Sequence, residues 1–219
     1  MKTALIIGGT GLIGSQLLNI LLNSSEYDKV ISFVKRDTGL KNPKLIQHII
    51  DFDRPETYQD LVRGDDFFCT IGTTIKRAGT KEAFRKVDFE YPQQFATIAL
   101  ENKVKQFLMI SSIGADSSSS NFYLKTKGEI EDFLKNCNFE GVSILRPSIL
   151  MGDRNEFRLG ERIGIFIMKS FSFLFLGNFR KYKPIQSKTV AEALFIIAKK
   201  SKKGFQIYES DAIKQIAAS

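Results

Sequence analysis

At 219 residues, 43% hydrophobic and 26% charged, the chain has the apolar content of one globular domain with a sizeable core, which excludes a disordered segment and a coiled coil. Lys and Arg total 32 against 24 for Asp and Glu, a net charge of +8 spread along the sequence, so an anionic ligand is admitted while no nucleic-acid-reading module is indicated. Cys69 and Cys137 stand far apart without a CxxC pattern, and no signal-like apolar stretch precedes the first strand; neither disulfide, zinc site nor export is expected, and the setting reads as cytoplasmic.

Short apolar runs alternate with stretches of three- and four-residue apolar spacing, the pattern of parallel strands joined by crossover helices. Strands are predicted at 4–7, 30–34, 45–49, 66–70, 106–110, 142–145 and 205–208, and helices at 12–23, 81–102, 122–136 and 189–199. The expectation is an α/β doubly wound parallel sheet of the Rossmann type, one domain over 1–219, with 151–185 as a small lid on the substrate side.

The first strand runs straight into Gly8-Gly9-Thr10-Gly11-Leu12-Ile13-Gly14 and then an apolar helix. Glycines at 8, 11 and 14 suit a tight turn, close approach of backbone to a pyrophosphate and packing of helix on strand, while Thr10 adds a hydroxyl and the helix start offers unpaired N–H groups. A tight turn without a ligand is the plain alternative. The second strand ends Val34-Lys35-Arg36-Asp37. Lys35 and Arg36 would pair with a 2′-phosphate and favour NADP(H), whereas Asp37, one place on, keeps NAD(H) open. Asp51 and Phe52 after the third strand either border an adenine or are an ordinary strand-end acid and a core phenylalanine.

The fourth strand leads into Cys69-Thr70-Ile71-Gly72-Thr73-Thr74, where a glycine lets a cofactor ribose pass close to the chain. Cys69 reads as a small core residue, not a nucleophile. The fifth strand is followed by Ser111-Ser112, a serine-rich loop at 117–120 ending in a helix N-cap, and Tyr123-Leu124-Lys125-Thr126-Lys127. Tyr123 and Lys127, four apart, share a helix face at the carboxyl edge of the sheet. Reduction of a carbonyl needs a hydride and a proton. Tyr123 would give the proton, Lys127 would lower its pKa and hold the nicotinamide ribose, and Ser111 or Ser112 would orient the substrate oxygen. An exposed tyrosine, a solvated lysine and a polar turn would be the uneventful version.

With Gly8-x-x-Gly11-x-x-Gly14, the serine pair and Tyr123-x-x-x-Lys127, the sequence resembles the short-chain dehydrogenase/reductases over essentially its whole length. Through Asp51-Phe52, Ile71-Gly72-Thr73-Thr74, Lys86-Val87-Asp88, Ser111-Ser112-x-Gly114-Ala115-Asp116, Asn121-Phe122, Lys127-Gly128-Glu129 and Arg146-Pro147 it is similar to the atypical branch with the Tat-interactive-protein type of NADPH-binding oxidoreductases. That resemblance implies cofactor contacts from Thr10, Lys35, Arg36, Ile71, Gly72, Tyr123, Lys127, Leu150 and Arg158, with Thr73 and Pro147 beside them. Many epimerases of the wider family carry Asn where Asp88 stands and are about a hundred residues longer.

Residues 163–176 hold Phe166, Phe171, Phe173 and Phe175, too short a run to span a bilayer; a substrate-covering helix is expected, with membrane-surface contact as the alternative. His48, on a strand without companion ligands, reads as structural, and no metal is predicted. Three functions stand side by side: an NADP(H)-dependent oxidoreductase acting on a small carbonyl or alcohol, a nucleoside-diphosphate-sugar epimerase or dehydratase, and a non-catalytic NADPH-binding regulator. A monomer or homodimer with no nucleic-acid partner is expected.

Overall fold

The computed structural model describes residues 2–151 and 183–219. Strand β1 (Thr3–Ile7) leads into helix α1 (Leu12–Asn23), then β2 (Lys29–Val34), β3 (Leu45–Ile49) and β4 (Asp66–Cys69). Two short helices, α2 (Ile75–Ala78) and α3 (Lys81–Arg85), pass through a π-helical turn (Lys86–Glu90) into α4 (Tyr91–Glu101). There follow β5 (Gln106–Ile110), α5 (Phe122–Lys135), β6 (Gly141–Arg146), the short β7 (Leu150–Met151) and β8 (Ile185–Gln186), α6 (Ser187–Lys200), β9 (Gly204–Glu209) and α7 (Ser210–Ala217).

The main sheet has seven strands in the order β3-β2-β1-β4-β5-β6-β9, every neighbouring pair parallel. This is the doubly wound Rossmann arrangement. Strand order reverses between β1 and β4, which opens a crevice beyond their carboxyl ends, where such sheets take ligands. Alternation along each strand feeds two cores. Leu5, Ile7, Phe67, Cys69, Phe107 and Met109 pack against α4 and α5, while Ala4, Ile6, Phe68 and Leu108 pack against α1 and α6. The first layer is built on aromatics: Phe95 touches Phe33, Phe52, Tyr58 and Phe67, and Phe67 stacks on Phe107 at 4.9 Å. Each such buried ring contributes roughly 1.5–3 kcal/mol.

The opposite end of the sheet is closed by a polar knot. Buried Asp66 accepts from Tyr27 Oη at 2.5 Å and Gln106 Nε2 at 2.7 Å, and pairs with Lys2 Nζ at 2.7 Å. Gln106 Nε2 also donates to Ala198 O at 3.1 Å, which closes the carboxyl end of α6. Every oxygen of the buried acid is thereby partnered, as burial of a charge demands.

The predicted helix over 81–102 is interrupted. Pro92 has no N–H for the carbonyl of Asp88, and its ring would press on that carbonyl in a regular α-helix. The wider turn, with Tyr91 N donating to Lys86 O, takes up the misfit and re-aims Asp88. The short helix α2, the β7–β8 pair and α7 also lie outside the sequence expectation; a four-residue helix or a two-residue strand has no period to read, and α7 follows β9 without an intervening loop.

Candidate functional site

β1 runs directly into Gly8, whose φ of +79° favours glycine, and a Cβ there would meet Ile71 N and Thr70 C at 2.5 Å. At Gly14 a Cβ would stand 2.0 Å from Gly8 O and 2.5 Å from Thr70 Oγ1. These glycines weld the loop to the end of β4. Gly11 N donates to Gly8 O at 2.9 Å, and Gly11 is the N-cap of α1 with no side-chain bond closing the helix start. The first-turn amides of Leu12, Ile13 and Gly14 therefore stand uncapped at the crevice, as an anion requires. Thr10 is exposed beside them, whereas the Ile13 side chain lies in the core and leaves only its N–H for a ligand. Below Gly9 the buried Ser32 hydroxyl has no partner among the described residues.

At the end of β2, Lys35 and Arg36 are both exposed, but they are engaged differently. Lys35 Nζ sits 5.5 Å above the centres of the Phe52 and Tyr91 rings. Arg36 has no hydrogen bond, ion pair or ring contact among the described residues. Asp37 Oδ1 accepts from Gly39 N at 2.9 Å and from Gln47 Nε2 at 3.4 Å, so the acid is bent back into its own loop. Asp51 is exposed and accepts from Asp53 N at 3.0 Å. The Phe52 ring is buried against Tyr91 and Phe95, which makes it a core phenylalanine. Asp53 accepts from Lys86 Nζ at 2.8 Å and Tyr91 Oη at 2.9 Å, and these two donors hold its carboxyl below the usual range.

Helix α5 begins at an N-cap that fits its sequence, with Asn121 Oδ1 accepting from Tyr123 N at 3.0 Å and Leu124 N at 3.3 Å. Gly128 lets the helix lie against the serine loop, since a Cβ would meet Ser117 N at 2.1 Å. Tyr123 is half-buried with its ring 5.4 Å from that of Phe84. Lys127 is buried, and its Nζ lies 2.6 Å from Asp88 Oδ1, while Asp88 Oδ2 accepts from Thr73 N at 2.9 Å. Gly72 covers this pair: a Cβ there would lie 3.8 Å from Lys127 Nζ and 3.4 Å from Asp88 Oδ1. Burial works against the lysine's charge, but Asp88 and Tyr123 outweigh it and hold Lys127 above the ordinary range. Burial pushes the Asp88 carboxyl up, with Lys127 and the Thr73 amide pulling the other way. Cys69, fully buried below, has its thiol pushed up to about 12 by burial.

The two serines separate cleanly. Ser111 is buried and donates to Glu131 Oε1; Glu131 in turn receives Arg146 Nε on both oxygens at 3.1 Å and Arg146 Nη2 at 2.5 Å. Expecting Ser111 to face a substrate is therefore corrected, because its hydroxyl proton is spent on a buried carboxylate. Ser112 is buried to the same degree, and among the described residues its hydroxyl makes only a 3.4 Å contact to Ile113 O. Pro147 is buried and its carbonyl accepts from Ile113 N at 3.2 Å; Leu150 lies on β7 beside Ile185. Arg158, the 163–176 segment and most of the 151–185 lid lie outside the described residues.

Asp88 and the Glu131–Arg146 pair carry weight in this site that the sequence reading gave them no role for. Pro92 four residues after an acid, inside an otherwise helical pattern, was the available sign for Asp88. Among the described residues no group of acids, His and Cys could hold a metal. Glycine loop, α1 start, the open Gly72 and the exposed Arg36 fit an adenine dinucleotide laid across the carboxyl ends of the strands.

A family model described as NAD(P)H-binding matches residues 8–165. Protein HTATIP2 of Rattus norvegicus is 35% identical over 164 residues, covering 73% of this chain and 67% of that protein. The mitochondrial protein FMP52 of Meyerozyma guilliermondii is 37% identical over 155 residues, 69% of this chain and 66% of its own; the matches thus span about two thirds of these relatives. In fold, the chain is similar to the Bordetella bronchiseptica enzyme WbmH in complex with NAD+, at TM-score 0.71 and 18% identity, covering 100% of this chain and 80% of that one. The cytoplasmic expectation is overturned here, since FMP52 relatives from several fungi are named mitochondrial. Absent cysteine and signal patterns describe redox setting and export alone, and they carry no address within the cell. No helix among the described residues is long and apolar enough to cross a membrane.

Proposed function

The chain belongs to the NAD(P)H-binding family and is an atypical short-chain dehydrogenase/reductase of Rossmann fold; from that premise we propose that it is an NADP(H)-dependent oxidoreductase interconverting a carbonyl and an alcohol on a small molecule. The observation that carries this reading is the succession of neighbours from Gly8, where a Cβ would strike Ile71 N, through Gly72, where a Cβ would stand 3.8 Å from Lys127 Nζ, to Lys127 itself, one helical turn after Tyr123. The α1 start would hold the pyrophosphate at the middle of a dinucleotide whose nicotinamide end would lie near Tyr123.

When bound, the nicotinamide supplies or accepts the hydride. Tyr123 donates the proton that the developing alkoxide needs, and the Lys127 ammonium lowers the cost of the phenolate left behind. Ser112 hydrogen-bonds the substrate oxygen and fixes its direction toward both. Ser111, Glu131 and Arg146 hold the loop from below. Arg36 reads the 2′-phosphate, an assignment supported by its lack of other partners among the described residues and by the inward turn of Asp37. Lys35, parked on Phe52 and Tyr91, shapes the adenine side without competing for that phosphate. The FMP52 relatives support a mitochondrial site of action, which cell fractionation checks.

The test is NADPH-dependent reduction of a panel of aldehydes, ketones and quinones by wild type and Tyr123→Phe. Turnover that falls about 100-fold or more in the variant supports the reading. Tight NADPH binding with no turnover on any class would replace it with a cofactor-binding regulator.

A further inference from the structure

The loop after β2 is tied to the neighbouring strand at its acid and not at its cation. Val34 ends β2, and Arg36 and Asp37 follow it in adjacent places. Their demands on a cofactor are opposite: a guanidinium takes a 2′-phosphate, whereas a carboxylate takes the free 2′-hydroxyl of NAD(H) and repels the phosphate. Preference is a difference of two affinities, so keeping one of these groups away from the ribose alters both at once. We propose that Gln47 is a specificity-determining positioning residue: by tying Asp37 and Thr38 to β3 it withholds the carboxylate from the ribose and leaves Arg36 to select NADP(H).

Gln47 stands in the middle of the edge strand β3, in register with Ser32 of β2. One amide spans the loop. Its Oε1 accepts from Thr38 Oγ1 at 2.6 Å and from Thr38 N at 3.4 Å, and its Nε2 donates to Asp37 Oδ1 at 3.4 Å and to Leu40 O at 3.3 Å. The same Asp37 oxygen receives Gly39 N at 2.9 Å, and the φ of +70° at Gly39 makes the tight turn that this bond closes. Thr38 Oγ1 in turn accepts from Leu40 N at 3.3 Å. Residues 37–40 are thereby closed on themselves and on β3, while Arg36, one place ahead of the first of these bonds, has no partner among the described residues. An amide suits the task because it carries both an acceptor for the threonine and donors for the acid. A leucine at 47 would keep the bulk and none of the four contacts.

This inference rests on the NADP(H) reading, and calorimetry of the full chain with NADPH and with NADH tests it without turnover. Wild type is expected to bind NADPH more tightly. In Gln47→Leu the NADPH affinity falls and the NADH affinity rises, so that their ratio drops at least about tenfold, the scale of one charged hydrogen bond. The rise for NADH disappears in the double variant Gln47→Leu/Asp37→Asn, because the effect runs through the carboxylate; a role in folding alone would weaken both cofactors together. Thr38→Val removes the 2.6 Å bond from the other side and should move the ratio the same way by a smaller factor. Should Gln47→Leu not fold, Thr38→Val decides. A ratio unchanged in Gln47→Leu, or in Thr38→Val where that variant alone folds, overturns the proposal and leaves the cofactor reading standing, as does an NADH gain that persists without the Asp37 charge. Wild type that binds NADH as tightly as NADPH, or binds neither, overturns both.

Discussion

Arg36 and Gly72 give the site its two sharpest single-residue tests. Removing the guanidinium in Arg36→Ala takes away a charged hydrogen bond worth roughly 1.5–3 kcal/mol, so NADPH affinity should fall about 10- to 100-fold by calorimetry while NADH binding changes little; equal losses would contradict the 2′-phosphate assignment. Gly72→Ala tests ligand space in isolation. Its Cβ would make ordinary contacts at 3.4 and 3.8 Å with Asp88 and Lys127, so the melting temperature should hold while cofactor affinity drops about tenfold. Gly14→Ala provides the contrast, because its Cβ would strike Gly8 O at 2.0 Å and the fold itself should weaken. Sequence spacing sufficed for these glycines and for the Tyr123–Lys127 face, since both follow from the geometry of a turn and a helix. It could not separate Ser111 from Ser112. Adjacent strand-end residues point to opposite sides, and which side holds Glu131 depends on packing between α5 and β6. Phe52 was open between adenine and core for the same reason, and its burial under Lys35 and Tyr91 places it in the core.

At the level of elements, α5 carries the proposed reacting pair and its start is set by Asn121. Asn121→Ala should cost about 1 kcal/mol through two uncapped amides, seen as a lowered melting temperature, and should reduce kcat by loosening Tyr123 in the first turn. A variant that loses stability but keeps its kcat would separate the cap from the site. The inner strands of the main sheet were legible because both faces are buried and their residues form short apolar runs bounded by polar turns, while the edge strands β3 and β9 are only partly buried. The 81–102 helix was legible in extent but not in form: apolar spacing marks a helix, and a single proline inside it decides whether a turn widens. Asp88 was therefore visible as a motif residue and invisible as Lys127's partner.

For the whole molecule, the aromatic core makes alkaline pH the weak side. Burial raises Tyr27, helped by Asp66, and raises Tyr58 and Tyr91, while the Cys69 thiol is pushed up to about 12. Groups raised in the folded state stay protonated there while the unfolded chain releases its protons at ordinary values near 8.5 for Cys and 10 for Tyr. Their contribution is complete below those values and is lost as pH climbs toward the folded ones. Melting temperature should hold through neutral pH and fall steadily above about pH 9; Cys69→Ala should flatten the earliest part of that fall. A melting curve level to pH 11 would contradict the buried neutral phenols. Compartment lay beyond the sequence reading because fold stability and nucleotide binding place no demand on it.

The seam between Gly128 and Ser117 has a dynamic consequence. With Asp116 N donating to Leu124 O at 3.1 Å and no room for even one methyl group between helix and loop, the two cannot open separately. Amide deuterium uptake at Asp116 should keep pace with the first turns of α5 and lag behind its serine neighbours, so the strip bearing Ser112 and the strip bearing Tyr123 breathe as one unit.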